Sequence, residues 1–112
     1  MNKKVKKLWI AALLSGEYKQ GIRQLRDKDN KFCCLGVLCN LHAQAHPEIA
    51  AMQKEPEQYI GAWALLPREV MDWAELGSEN GAYVNSANTT LVSDNDDGCS
   101  FPEIAKIIQE NF

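Results

Sequence analysis

The chain has 112 residues, 46% of them hydrophobic and 24% charged, with four cysteines and a net charge of −3. That size suits one domain, residues 1–112, able to bury roughly two-thirds of the surface its unfolded chain exposes. The composition excludes intrinsic disorder, and the apolar run at 9–14 falls far short of the roughly 20 residues a membrane helix needs.

Lys3, Lys4, Lys6 and Lys7 precede that run, but Ser15-Gly16-Glu17-Tyr18 breaks it too soon for a secretory signal. The expectation is an unsecreted, cytoplasmic chain, whose cysteines are reduced thiols. Cys33 and Cys34 are adjacent, a spacing at which two thiols rarely bond each other without strain. Charge is uneven: residues 1–31 carry nine Lys/Arg against three Asp/Glu, and residues 32–112 carry three against twelve. Such an asymmetry either steers a charged partner or is compensated internally where the two parts face each other.

In chain order, a first helix is predicted over Lys3 to Leu14. Val5, Leu8, Trp9, Ala12 and Leu13 share one side and the lysines fan across the other, with Gly16 as a left-handed residue past its end. Ile22 to Arg26 reads as a short strand, Asp27-Lys28-Asp29-Asn30 as a turn, and Phe32 to Cys34 as a second strand. From Gly36 a helix with Val37, Leu38, Leu41 and Ala45 on its apolar stripe runs to near Pro47, and a short helix and exposed loop follow to Gln58. Pro67 opens a helix over Arg68 to Leu76, closed by Gly77. Asn80-Gly81 begins a hairpin with strands at Ala82 to Val84 and Thr89 to Val92. The last helix starts at Ser100, which forms a capping box with Glu103. Ile104, Ala105, Ile107, Ile108 and Phe112 supply its buried face. These elements predict an α+β fold, helices packed on a small antiparallel sheet of short hairpins.

Three constellations invite a chemical reading. Cys39, His42 and His46 would line one stripe of a helix and carry zinc-type ligands, but no Cys-x₂₋₄-Cys knuckle accompanies them, so boundary packing is the expectation and no metal is assigned. Cys34 near a helix start would have a lowered thiol pKa, yet His42 and His46 lie roughly 12–18 Å further along that helix at its regular rise, out of reach of a nucleophile–base pair. Ser93 to Gly98 resembles a calcium loop, but Ile104 stands where the closing bidentate glutamate belongs, which leaves a turn as the reading. Phosphate loops, zinc-peptidase signatures and Gly-x-Ser-x-Gly elbows are all missing. The lysine face is expected to be solvated and not to bind nucleic acid, because every later helix is neutral or acidic.

Several longer strings point further. They are Trp9-Ile-Ala-Ala-Leu13, Phe32-Cys-Cys-Leu-Gly-Val-Leu-Cys39, Leu66-Pro67-x₂-Val70, Asn80-Gly81-x-Tyr83, and Asn95-Asp96-Asp97-Gly98-x-Ser100-Phe101. With Ser15-Gly16-Glu-Tyr18-Lys-Gln20, they make nearly the whole chain resemble a set of short uncharacterised proteins encoded by tailed bacteriophages and bacterial genomes. The resemblance implies a phage or prophage setting within a host bacterial cell. It implies no activity, and the two histidines stand outside its pattern.

Within these strings Tyr18, Gln20, Asn80, Tyr83, Asn95 and Asp96 sit at turns where packing alone does not call for them. Either they shape turns and caps, or they line a recess in which two rings stack a ligand and the amides and carboxylate read its edge. In the second case Arg23 and Arg26 would meet any phosphate. The expectation is a non-enzymatic accessory protein without a cofactor, blunting a host defence system by covering a host protein or sequestering a small nucleotide-like signal. The alternatives are a small enzyme using Asp96 with Tyr18 or Gln20, and a Cys/His metal-stabilised module.

Overall fold

The computed structural model describes residues 1–84 and 89–112. Among these, there are six helices and a two-stranded sheet: α1 (Lys3–Leu14), β1 (Lys19–Gln20), β2 (Lys31–Phe32), α2 (Cys34–Ala45), α3 (Pro47–Ala50), α4 (Arg68–Ala74), α5 (Leu91–Asp96) and α6 (Phe101–Asn111).

Helix α2 is the core element. Every residue from Cys34 to Cys39 is buried, together with His42. Against it pack Val5, Trp9 and Leu13 of α1, and the indole N–H of Trp9 donates to the Cys34 carbonyl at 2.9 Å. The capping box predicted for the last helix is present, with Ser100 Oγ accepting from Glu103 N and Glu103 accepting from Ser100 N. Asn2 caps α1 by accepting from Val5 N at 2.9 Å, and its own N–H donates to Ala74 O, which ties the start of α1 to the end of α4.

Four expectations are corrected. The sheet is parallel, with Lys19 opposite Lys31 and Gln20 opposite Phe32. Of the hairpin expected between Ile22–Arg26 and Phe32–Cys34, one antiparallel bridge remains, Arg26 to Phe32. The reason is local: Arg23 and Asn30 both take positive φ, and Asp27 Oδ1 accepts from Asp29 N and Lys31 N. The segment therefore coils back on itself instead of running straight.

Second, Thr89 to Val92 is not a strand. Thr90 accepts from Ser93 N and starts α5, leaving only the Ala82–Thr90 bridge of the expected hairpin; the tip of that hairpin, 85–88, lies outside the described residues. Third, α4 ends at Ala74, before Gly77, with Glu75 in the left-handed conformation and Leu76 N reaching back to Met71 O. Fourth, Leu8 is exposed, so the buried stripe of α1 is narrower than its sequence suggests.

Candidate functional site

The geometry begins at Gly36. A Cβ there would lie 1.7 Å from the Leu25 carbonyl oxygen, so only glycine lets the 21–30 segment rest on the first turn of α2. Leu25 N in turn donates to the Trp63 carbonyl at 2.7 Å. This stack of three backbones fixes the 52–63 loop beside the 21–30 segment, over one side of α2. The loop is braced by Gln53, whose amide donates to Gln58 O and accepts from Ile60 N. It turns sharply at Ile60 and Gly61, both at positive φ, the conformation of a type I′ turn.

Three recesses open around this loop. A cavity of about 210 Å³ lies between α2 and the loop, with Arg26 and Glu57 on its walls and Phe32, Cys39 and Tyr59 among its apolar lining. A wider recess of about 530 Å³ is bordered by Ile22, Arg23, Lys28, Glu57 and Trp63. A third, of about 420 Å³, adjoins Met52 and Ile60. Ile22 and Trp63 are each 48% exposed, so two large apolar side chains face water at the rim of one recess.

The residues singled out from sequence fall into two groups. Gln20, Asn95 and Asp96 come together. Asn95 is 1% exposed; its oxygen accepts from Gln20 Nε2 at 2.9 Å and from Cys34 N at 3.1 Å, and its nitrogen donates to Gly21 O at 2.8 Å and to Asp96 Oδ1 at 3.3 Å. That uses the whole hydrogen-bonding capacity of an amide. Gln20 also donates to Cys99 O and accepts from Phe101 N, and Asp96 accepts from the backbone N of Arg23 at 2.9 Å.

The two tyrosines are tied elsewhere. The Tyr18 hydroxyl accepts from Asn40 Nδ2 at 2.6 Å, and its ring meets Phe32 edge-on. The Tyr83 hydroxyl donates to Asp94 at 2.6 Å, a bond that with burial pushes its pKa up to about 12. Arg23 borders the wide recess and Arg26 the small cavity. Sequence reasoning missed Trp63, Ile22, Tyr59 and Glu57, since nothing in their spacing says that two distant loops meet.

All four cysteines are free. Burial pushes the Cys33 thiol up to about 11, and raises Cys34 and Cys39 well above the ordinary thiol range. This is the reverse of what a nucleophile needs. His42, on the core face and not its shoulder, is 2% exposed. It stacks on His46 at 4.1 Å, meets Tyr59 Oη through Nδ1 at 2.6 Å, and is crossed by the Trp73 ring. Burial and the neighbouring His46 lower its pKa to about 4. Among the described residues no three His, Cys, Asp or Glu side chains are grouped to hold a metal ion. No helix of the described residues is long and apolar enough to cross a membrane.

Fold and site together define a small, mainly helical α+β body with three recesses around one loop and a fourth, of about 390 Å³, bordered by Leu66, Met71 and Asn80. The chain belongs to the family described as Domain of unknown function (DUF8296), whose model matches residues 1–112. No curated protein and no solved structure matches it.

Proposed function

We propose that this protein acts by binding and not by catalysis, as an accessory protein of a phage or prophage that blunts a host defence system in the bacterial cytoplasm by covering a host protein. The observation that carries this reading is the pairing of Ile22 and Trp63, half-exposed on the rim of one recess. Exposed aromatic and aliphatic side chains set in a polar rim are what protein interfaces use as anchors. The rim supplies both signs of charge, from Arg23 and Lys28 and from Asp27, Asp29 and Glu57, as a protein partner with mixed surface charge requires.

The polar residues that suggest a nucleotide reader are engaged inside the fold: Gln20 and Asn95 hold four backbone groups in three segments. A nucleotide signal at the wide recess would have Trp63 to stack on but three carboxylates near its phosphates, which disfavours it. The test compares proteins retained from host lysate by the wild type, by Trp63→Ala and by Leu14→Ala, a control on exposed α1 surface. The reading expects a discrete host protein that is lost with Trp63→Ala and kept with Leu14→Ala. Equal retention by all three, or a large thermal shift with one member of a nucleotide panel, overturns it.

A further inference from the structure

The small cavity beside α2 shares Glu57 with the Ile22–Trp63 recess but has a feature of its own. Two opposite charges line it, and neither is neutralised among the described residues. Arg26 is held in place from one side only: its Nε donates to Asn30 Oδ1 at 2.6 Å, and its guanidinium carbon sits 5.4 Å from the centre of the Phe32 ring. Among the described residues its two terminal nitrogens have no acceptor and Glu57, on the same cavity, has no donor. The two do not pair with each other within 4.0 Å. The rest of the lining is mixed, with Phe32, Cys39, Ala43 and Tyr59 as its apolar part and Asn40, Gln53 and Gln58 as its polar part.

A guanidinium fixed through Nε and by contact with a ring presents its outer edge as a ready fork for a carboxylate. A free carboxylate elsewhere in the same space suits an ammonium. A cavity of about 210 Å³ is smaller than the roughly 300–1,000 Å³ that encloses a drug-sized ligand, so a nucleotide is too large for it. We propose that this cavity binds a free α-amino acid with a compact apolar side chain. Its carboxylate lies on Arg26, its ammonium on Glu57, and its side chain against Phe32, Cys39 and Tyr59.

The test titrates the intact protein with L-leucine, L-methionine, leucinamide and N-acetyl-leucine, following backbone amide resonances around Phe32, Asn40 and Tyr59. The expected result is saturable binding of leucine or methionine with Kd of about 1 mM or tighter. Leucinamide, which lacks the carboxylate, and N-acetyl-leucine, which lacks the ammonium, should each bind about tenfold more weakly or not at all. Arg26→Gln should abolish the leucine response. Because that change disturbs the contact with Phe32, Glu57→Gln is the second variant: it removes no hydrogen bond of the fold, and should weaken leucine about tenfold. Absence of saturable shifts with either amino acid overturns the proposal, as does leucinamide binding as well as leucine. N-acetyl-leucine binding equally, with Glu57→Gln unaffected, also overturns it, and reassigns the cavity to the carboxylate end of a peptide chain.

Discussion

The Gln20 side chain donates to Asn95 Oδ1 at 2.9 Å, and through this contact two side chains cap two helices. Asn95 accepts from Cys34 N at the start of α2, while Gln20 accepts from Phe101 N at the start of α6. Cys33, the residue in the N-cap position of α2, makes no side-chain cap of its own. The first N–H groups of a helix have no partner within it, so a buried helix start needs one from elsewhere. Here the partner comes from the far end of the chain.

Asn95→Ala should therefore be costly. It strands Cys34 N, Gly21 O and one Gln20 proton in a buried site, and the expected loss is about 3 kcal/mol, read from the urea midpoint. Asn95→Asp keeps the acceptor but loses the donor to Gly21 and sets a carboxylate beside Asp96, so it should also destabilise. A midpoint no different from that of an exposed substitution such as Lys7→Ala would show that the contact is not needed.

This pairing also explains what could be read from the sequence. α1 and α6 were legible because each carries its own cap and a 3.6-residue apolar period. α2 starts two residues before the Gly36 that its sequence suggests, because its cap is Asn95 and no local residue announces it. α5 has six residues, too few for a period to emerge, and its β-branched start resembles a strand. The parallel pair has two residues per strand, where alternation has no meaning. Gln20, Asn95 and Asp96 hold segments of the fold together, a role their own neighbours do not announce. The recesses depend on how the 21–30 and 52–63 segments meet, and Trp63 carries no signal of exposure in its neighbours.

Gly36→Ala tests the stack that builds the recesses. With the new Cβ at 1.7 Å from Leu25 O, the 21–30 segment must lift from α2. The expected cost is about 4 kcal/mol or more, the range of backbone displacement in a core. A crystal structure or amide spectrum unchanged around Leu25 and Trp63 would contradict the proposed close approach.

Acid should weaken the fold through His42. Its folded pKa, about 4, lies below its unfolded value near 6.5, so the unfolded state binds the extra proton first. Stability from this residue is complete above about pH 6.5 and is lost as pH falls toward 4, by about 2 kcal/mol at pH 5. The facing groups are His46, Tyr59 and the more distant Glu48. His42→Leu should flatten the slope between pH 7 and pH 5 in urea titrations; an unchanged slope would assign it to carboxylates.

Thiol chemistry should separate the cysteines by access. Burial and the nearby Asp94 raise the half-buried Cys99 thiol, and burial raises Cys33, Cys34 and Cys39 too, but only these three are enclosed in the core. An aromatic disulfide reagent at pH 8 should modify one thiol in the folded protein and all four in urea, and a chelator should leave Tm unchanged. Rapid modification of several thiols, or melting on chelation, would contradict this arrangement.

If the protein covers a host partner as proposed, it does so through the face carrying Trp63. A benzophenone amino acid at position 63 and, separately, at position 11 on the exposed side of α1 tests this in irradiated host cells producing each form. One discrete crosslinked host protein is expected from position 63 and none from position 11. Crosslinks from position 11 alone, from both positions equally, or from neither would contradict it.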